Sequence, residues 1–386
     1  MNEIVMFDWL FGRSENKLLL LEKTSDLFHE VQLDDVVLIA CQHLLGTTRN
    51  MFEILFKHGL RPENTYLLGK CYSTSDEVYS DFKKRGVHVS PFSKKYDSQV
   101  SFDEQFQLHI ELFVREVKES GVLDDGRRII VLDDGGELLL YANDFFKRYK
   151  QISGVEQTSS GYHKLKDVKL SFPVINIARS NAKLAIESPM IAETAVMKLE
   201  QKLSQRKADE LKVLIVGQGS IGTAVTILLS KRFDVETYDI SSHGNHFPGS
   251  YDEKLHKFDV IVGATGRSII QPGDFGKLKD GVVLASVSSS DREFSAAYLR
   301  RLAGKSSVCH EDITVNGITL LNAGFPINFD GSLHSVAPEK IQLTRALLLA
   351  GVFTAASHRG KKDLVSLEPA IEKRLVSAYE KMSGTD

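Results

Sequence analysis

Lys212-Val-Leu-Ile-Val-Gly-Gln-Gly-Ser-Ile-Gly222 is the stretch that decides the fold of this chain. Its apolar residues 213–216 predict a buried parallel strand, and the apolar run 221–229 predicts a helix directly after it. The glycines between them have the G-x-G-x-x-G spacing of a tight strand-to-helix turn. A second strand is predicted over residues 234–238 and ends at Asp239. Together these features predict half of a doubly wound parallel sheet.

Each glycine of this turn has a physical role in binding a dinucleotide. Gly217 permits the tight turn, Gly219 lets backbone N–H groups approach a pyrophosphate because it has no Cβ atom, and Gly222 lets the helix pack closely on the strand. The helix begins at Ser220 and Ile221, where N–H groups and a partial positive charge face the phosphates. The turn therefore predicts a dinucleotide site.

The acidic residue after the second strand indicates which dinucleotide binds. Asp239 lies 17 residues beyond Gly222, close to the spacing of about 20 at which a carboxylate accepts hydrogen bonds from a ribose diol. A carboxylate there would also repel a 2′-phosphate. The sequence therefore predicts NAD, rather than NADP, as the cofactor.

Composition limits the class of protein. A chain of 386 residues is too long for one ordinary core, so two domains are expected. Hydrophobic residues make up 42% and charged residues 26%, which is typical of a globular protein. A net charge of −3 gives no strong positive field, so we expect no nucleic-acid or membrane partner but a small-molecule substrate.

The sequence contains no recognisable targeting or metal-binding pattern. We find neither a signal peptide pattern nor an apolar stretch long enough to span a bilayer. The three cysteines form no C-x-x-C pair, and no metal site is predicted. A reduced, cytoplasmic protein is the simplest interpretation.

Short apolar runs alternate with amphipathic stretches along the whole chain. Strands are predicted over residues 35–41, 64–68, 128–132, 173–178, 259–264, 281–287 and 317–321. Helices are predicted over residues 48–59, 76–86, 104–121, 137–150, 189–206 and 340–356. This alternation predicts an α/β fold with two doubly wound parallel-sheet domains, the second a Rossmann NAD-binding domain.

Several short motifs follow one another along the chain. They are Cys41-Gln-His43, Cys71-Tyr-Ser-Thr-Ser-Asp76, Leu132-Asp-Asp-Gly-Gly136, Glu156-Gln-Thr-Ser-Ser-Gly161, Pro173-Val-Ile-Asn176 with Lys183, Val262-Gly-Ala-Thr-Gly266 and Leu321-Asn-Ala-Gly-Phe-Pro-Ile-Asn328. In type and order, over residues 35–355, they resemble the S-adenosylhomocysteine hydrolase family. The resemblance implies a substrate domain over residues 1–188, a Rossmann domain over 189–335, and a segment 336–386 that returns to the first domain.

The resemblance also implies a chemistry. NAD oxidises the ribose 3′-hydroxyl of the substrate, and the resulting ketone makes the neighbouring C4′ proton acidic. The 5′ thioether then leaves, water adds, and the hydride returns to the sugar. The protein would thus be a hydrolase that uses an internal oxidoreductase step, with NAD regenerated in each turnover.

Roles for particular residues follow from the same resemblance. Lys183 would take the hydroxyl proton, because an amine near a cationic nicotinamide and away from water has a lowered pKa. Glu187, in place of a family aspartate, would bind ribose hydroxyls. His43 and Asp134 would form the proton-transfer pair at the sugar, and Asp133 would support the turn. Residues implied to contact NAD are Thr158, Ser159, Ser160, Thr265, Gly266 and Asn328.

The chain departs from the family where adenosine would be recognised. Leu45 and Thr47 stand in place of threonine and glutamate, Ser75 and Gln157 in place of glutamine and glutamate, and Ala178 in place of asparagine. Leu45 and Ala178 cannot form side-chain hydrogen bonds, so the bound substrate must differ. Thr47, Ser75 and Gln157 are the candidate substrate contacts, and S-adenosylhomocysteine is expected to be a poor substrate.

The C-terminal stretch Glu380-Lys-Met-Ser-Gly-Thr-Asp386 lacks the lysine- and tyrosine-bearing tail that reaches a neighbour's cofactor in the family. We therefore expect looser NAD binding, and a homo-oligomer is possible but not specified.

Two alternatives to an enzyme of this family stay open. One is a non-catalytic NAD-binding regulator, and the other is a simple NAD-dependent dehydrogenase.

Overall fold

The computed structural model describes residues 18–180, 186–207, 210–240, 251–304, 308–358 and 360–383. Over these ranges the chain forms two largely parallel β-sheets flanked by helices, which confirms the predicted α/β fold with two doubly wound sheets. In the part of the chain that the structure describes, no helix combines the length and the apolarity needed to cross a membrane.

The first sheet has seven parallel strands in the order β3-β2-β1-β4-β5-β6-β13. They are β1 (Val36–Leu44), β2 (Thr65–Thr74), β3 (His88–Val89), β4 (Arg128–Asp133), β5 (Ile152–Glu156), β6 (Val174–Asn176) and β13 (Leu364–Ser366). The strand order reverses between β1 and β4, and open parallel sheets bind ligands at the carboxyl ends of strands at such a point.

The helices that accompany this sheet come from both ends of the chain. They are α1 (Leu19–Leu27), α2 (Gly46–Lys57), α3 (Asp76–Lys84), α4 (Phe102–Glu119), α5 (Glu137–Phe145), α6 (Ser159–Leu165), α10 (Pro338–Ser357) and α11 (Pro369–Ser383). Helix α10 packs on β4, β5 and β6 and also contacts α1 and α2. It is therefore buried almost all round, which explains its nearly continuous apolar sequence.

The second sheet has the strand order β8-β7-β9-β10-β12-β11. Its strands are β7 (Lys212–Val216), β8 (Asp234–Tyr238), β9 (Val260–Gly263), β10 (Val282–Ser286), β11 (Ile313–Val315) and β12 (Ile318–Leu320), and its helices are α7 (Ser188–Leu203), α8 (Ser220–Leu229) and α9 (Ala296–Leu302). The order reverses between β7 and β9, so the glycine turn after β7 lies at the second switch point. This is a Rossmann-type arrangement.

An antiparallel edge was not predicted. Strands β11 and β12 pair antiparallel through a turn in which Asn316 and Gly317 both have positive φ, 49° and 73°. Asn-Gly is the preferred sequence for such a two-residue hairpin.

One predicted helix is wrong in its second half. The helix predicted over residues 137–150 ends at Phe145, and residues 152–156 form β5, which was not predicted. A Cβ atom on Gly154 would lie 2.5 Å from Leu139 Cδ2, so β5 needs a glycine to pack directly against α5. A five-residue strand with a central glycine has a weak strand pattern, because glycine contributes no side chain to the sheet.

A buried ion pair connects the two sheets. Arg300 on α9 and Asp291 are 2.7 Å apart, and both side chains are almost wholly buried. Arg300 also donates to the carbonyl oxygens of Ser98 at 2.7 Å and Val100 at 3.0 Å, while Asp291 accepts from the Phe102 N–H at 3.1 Å. Ser98, Val100 and Phe102 precede or begin α4 of the first sheet. The pair therefore fixes the second sheet against the first.

Replacement of Arg300 tests this connection. Arg300→Met leaves Asp291 buried without its cation, so we expect a loss of about 3–5 kcal/mol in the free energy of unfolding. Arg301→Met is the matched control, because Arg301 also reaches the first sheet, at Gln99 O, but through an exposed contact. Urea unfolding measures both variants, and equal small losses would contradict a structural role for the pair.

Candidate active site

The glycine turn after β7 has the geometry that the sequence requires of it. Gly217 has a φ of +102°, which glycine adopts readily. A Cβ atom on Gly222 would lie 2.0 Å from Gly217 O, so this position excludes every other residue. By contrast, a Cβ atom on Gly219 would meet no atom of the described residues within 4 Å, its chain neighbours aside. Gly219 is thus open toward the space that a ligand would enter, at the start of α8.

Asp239 lies beside this turn. Its Oδ2 accepts a hydrogen bond of 2.6 Å from the Gln218 N–H, at the carboxyl end of β8. The carboxylate therefore sits next to the phosphate-binding turn, and one of its oxygens orders the backbone there. This position suits a group that hydrogen-bonds a ribose.

A buried carboxylate that the sequence did not reveal organises the neighbouring turn. Glu293 is fully buried and accepts from Thr265 N at 2.7 Å, Thr265 Oγ1 at 3.0 Å and Gly266 N at 3.1 Å. Its other oxygen accepts from Ser286 Oγ at 2.7 Å. Glu293 lies in a charged run, 291–293, that is typical of an exposed loop. Its contacts hold Thr265 and Gly266 against Gly217.

The first sheet brings His43 and Asp134 together. His43 Nε2 is 3.5 Å from Asp134 Oδ2, across the switch point between β1 and β4. His43 Nδ1 hydrogen-bonds Ser73 Oγ, at the end of β2, and Gln157 Nε2 donates to Asp134 Oδ2 from the end of β5. The carboxyl ends of four adjacent strands thus contribute to one polar cluster.

Lys70 is a member of this cluster that the sequence analysis missed. Its Nζ lies 2.5 Å from Asp134 Oδ1, and both side chains are buried. Burial alone would lower the pKa of Lys70, but its neighbours, first among them the Asp134 carboxylate, together outweigh burial and hold that pKa well above its ordinary value. Lys70 is therefore charged, and it forms an ion pair with Asp134. No local sequence signal marks it, because a lysine is ordinarily exposed.

Residues from beyond β12 cover this cluster. The ring of His43 stacks on Phe329, with centroids 4.7 Å apart. Tyr72 stacks on Phe325 at 4.7 Å. A narrow surface cleft lies here, and its lining includes Leu45, Tyr72, Ser73, Ser75, Asn328 and Phe329. Asn328 lies in this lining and directly precedes Phe329, the residue that stacks on His43.

Two further carboxyl groups lie beneath the cluster. Asp133 Oδ2 accepts from Leu139 N at 3.0 Å, and burial raises the pKa of Asp133 to about 7. Glu156 accepts from Thr158 N at 2.6 Å and Thr158 Oγ1 at 2.7 Å, and burial raises its pKa well above the ordinary value. Both groups shape turns, and Asp133 supports its turn as the sequence suggested.

The remaining predicted residues are placed as follows. Thr158 caps α6, accepting from Gly161 N at 2.9 Å, while Ser159 and Ser160 are exposed. The contacts of the described residues do not join these three hydroxyls to the glycine turn. Ser75 is the N-cap residue of α3 and lines the cleft. Lys183 lies outside the described residues.

Thr47 and Glu187 lie near a buried arginine that the sequence did not suggest. Arg345 Nε donates to Thr47 Oγ1 at 3.1 Å. Burial lowers the pKa of Arg345, and the charges of Asp134 and Glu187 oppose that change. Glu187 stands at the N-terminus of α7.

In the ranges that the structure describes, no group of three or more His, Cys, Asp or Glu side chains could hold a metal ion.

Comparison with known proteins gives distant and closer relatives. No protein-family model matches the chain. An uncharacterised protein of Mycobacterium tuberculosis is 42% identical over 332 residues, which cover 84% of this chain and 65% of the relative. The chain thus spans less than two thirds of that relative's length. It is also similar to the adenosylhomocysteinase of Pyrobaculum aerophilum, with 25% identity over 318 residues, covering 76% of this chain and 71% of that protein.

A third relative acts on a different nucleoside. The S-inosyl-L-homocysteine hydrolase of Methanopyrus kandleri is 24% identical over 242 residues, covering 59% of this chain and 53% of that protein. The chain is therefore similar to enzymes whose names differ in the nucleoside that they cleave from homocysteine.

Two glycines of the turn allow a matched test of the dinucleotide site. Gly219→Ala adds a methyl group that meets no atom of the described residues within 4 Å, chain neighbours aside. We therefore expect the free energy of unfolding of the cofactor-free protein to fall by no more than about 1 kcal/mol, the cost of alanine at the N-cap of α8. NAD binding should nevertheless weaken about tenfold or more, a loss of ~1.4 kcal/mol, since the methyl group blocks the pyrophosphate. Urea unfolding and calorimetric titration with NAD measure the two effects.

Gly222→Ala is the control for this test. Its methyl group would clash with Gly217 O, so we expect it to destabilise the protein even without NAD. Wild-type NAD affinity in the Gly219→Ala variant would contradict a pyrophosphate site at this turn.

Proposed function

We propose that this chain is an NAD-dependent enzyme of the adenosylhomocysteinase type that acts on a substrate other than S-adenosylhomocysteine. It oxidises a hydroxyl group of a sugar or nucleoside so that elimination and addition can follow. One observation carries the proposal: the segment that follows β12 of the second sheet covers the acid–base pair of the first sheet, with Phe329 stacked on His43 at 4.7 Å.

The residues present fit NAD. Gly219 is open, Gly217 has the required left-handed backbone, and Asp239 lies beside the turn. The pyrophosphate would be held by the turn and the start of α8, and the adenosine ribose by Asp239. Other proposed contacts are Ser220, Ile221, Gly222, Thr265, Gly266, Asn328, Thr158, Ser159 and Ser160. When bound, NAD supplies the hydride acceptor for the alcohol.

His43 is the proposed proton-transfer residue at the substrate. A protonated imidazole is stabilised by the Asp134 carboxylate 3.5 Å from Nε2, while Ser73 fixes the ring through Nδ1. Lys70 and Gln157 hold Asp134 in place, so both act as positioning residues. Lys183 stays the proposed base for the alcohol proton, with Glu187 as the proposed hydroxyl ligand.

Changed substrate specificity has support from the contacts of the substituted residues. Thr47 accepts from Arg345, and Gln157 donates to Asp134, so both side chains contact protein groups. Leu45 offers no polar atom to the cleft. Relatives named for S-adenosyl and for S-inosyl substrates are about equally distant from this chain, so the nucleoside is not conserved among the proteins that it resembles.

We propose that residues 1–188 and 336–386 make up the substrate domain and residues 189–335 the Rossmann domain. The pairing of β13 with β6 and the packing of α10 on the first sheet support this division. The alternatives differ in one measurable property. A simple dehydrogenase releases reduced NAD in each turnover, whereas a regulator binds NAD without oxidising any alcohol.

A substrate screen tests the proposal. The protein with bound NAD is incubated with S-adenosylhomocysteine and with a panel of nucleosides and sugar alcohols, and reduced NAD is followed by its absorbance. We expect reduction with at least one alcohol of the panel and little or no adenosine from S-adenosylhomocysteine. Efficient release of adenosine would contradict the altered specificity, and the absence of any reduction would favour the regulator.

A matched pair of variants identifies the groups that react. Asp134→Asn should slow turnover by about 10²- to 10⁴-fold, because it removes the charge that stabilises protonated His43. Asp133→Asn changes the adjacent residue, whose carboxyl group shapes the turn, and should have a much smaller effect. If the two variants lose activity equally, the assignment of Asp134 is wrong.

A further inference from the structure

Arg345 is an unusual residue for its place in the fold. It lies on α10, among residues that are buried on all sides, and its own side chain is only 6% exposed. A guanidinium group stays charged in proteins and has five N–H donors. Such a group is almost never buried without partners that neutralise and bind it.

Few protein groups satisfy this guanidinium. Within the ranges that the structure describes, its one hydrogen bond is from Nε to Thr47 Oγ1, at 3.1 Å, and it forms no ion pair. The carboxylates that act on it electrostatically are Asp134 and Glu187. Of these, Asp134 is already in contact with the cation of Lys70. The terminal N–H groups of Arg345 therefore have donor capacity that the described protein does not use.

The terminal N–H donors of Arg345 lie near the groups of the proposed active site. Thr47 follows the end of β1 at the start of α2, Asp134 follows β4, and Glu187 is at the start of α7. The guanidinium consequently lies at the same carboxyl edge as the pair of His43 and Asp134. Leu45 and Thr47, where the family resemblance places nucleoside recognition, are on its side of the sheet.

We propose that Arg345, oriented by Thr47, binds an oxyanion group of the substrate, a carboxylate or a phosphate. The planar fork of a guanidinium matches two oxygens of such a group, and a buried, charge-assisted pair of hydrogen bonds gives strong discrimination. This inference rests on the proposed function, and it specifies the substrate class as an anionic sugar or polyol.

Binding of three small probes tests the inference. The protein with bound NAD is titrated in a calorimeter with D-ribose, D-ribonate and D-ribose 5-phosphate, which share a polyol and differ in charge. We expect at least one anion to bind about tenfold or more tightly than ribose, a difference of ~1.4 kcal/mol. The anion that binds more tightly distinguishes a carboxylate site from a phosphate site.

Variants of α10 show whether Arg345 is responsible. Arg345→Met should reduce the affinity for the anion to that for ribose, because it removes the guanidinium group and keeps a side chain of similar length. Lys340→Met is the control, because Lys340 is an exposed cation on the same helix, paired with Glu193 at 2.6 Å. Arg345→Lys keeps the charge without the fork and should bind the anion with intermediate affinity.

Two results would overturn the inference. One is equal affinity for ribose and both anions, including no detectable binding of any of them, and the other is an anion preference that survives Arg345→Met. Titration of each variant with NAD verifies that it has folded. Failure of the proposed function would be seen separately, as absence of NAD binding or of NAD reduction in the wild-type protein.

Discussion

The buried contact between Asp291 and Arg300 is the constraint on which the rest of the structure depends. It joins the loop before α4 to the second sheet, with both charged groups removed from water. Because the loops beyond β10 and β12 are held in this way, their aromatic residues lie over the carboxyl edge of the first sheet. The carboxyl edge of the first sheet holds the proposed proton-transfer groups, and that of the second sheet holds the proposed NAD site, so the proposed chemistry needs both.

Charge balance explains how so many polar groups remain buried at that edge. Lys70 forms an ion pair with Asp134, which keeps the carboxylate ionised and fixed in place beside His43. Asp133 and Glu156 are accommodated differently, because burial raises the pKa of each and so favours the uncharged form. Arg345 forms no ion pair within the described residues, and a guanidinium group does not lose its charge. We therefore propose a ligand as its partner.

Local sequence patterns predicted most of the fold. The apolar runs before Gly217 and before Asp133 become buried parallel strands, because strands covered on both faces need no polar residues. The edge hairpin has a recognisable local signal at Asn316 and Gly317, but the apolar pattern predicts only one of its two strands. Strand β5 had none, because the close packing of Gly154 against α5 is a long-range contact.

The candidate site was predictable only in part. His43, Asp134 and the glycine turn stand in motifs, and the structure brings the first two together. Lys70, Glu293 and Arg345 act through partners that are 64, 28 and 298 residues away along the chain. Their roles depend on the order of the strands, which no local pattern contains. Lysine, glutamate and arginine at such positions are ordinarily exposed.

Binding of NAD underlies the whole proposed chemistry, and the nucleotide content of the protein tests it most directly. The protein is denatured after purification, with and without prior addition of NAD, and the small molecules that it releases are quantified by mass spectrometry. We expect NAD, oxidised or reduced, at close to one molecule per chain after NAD has been added, and a smaller amount without addition if binding is loose. A protein that releases no nucleotide, and that binds none when NAD is added, would contradict it.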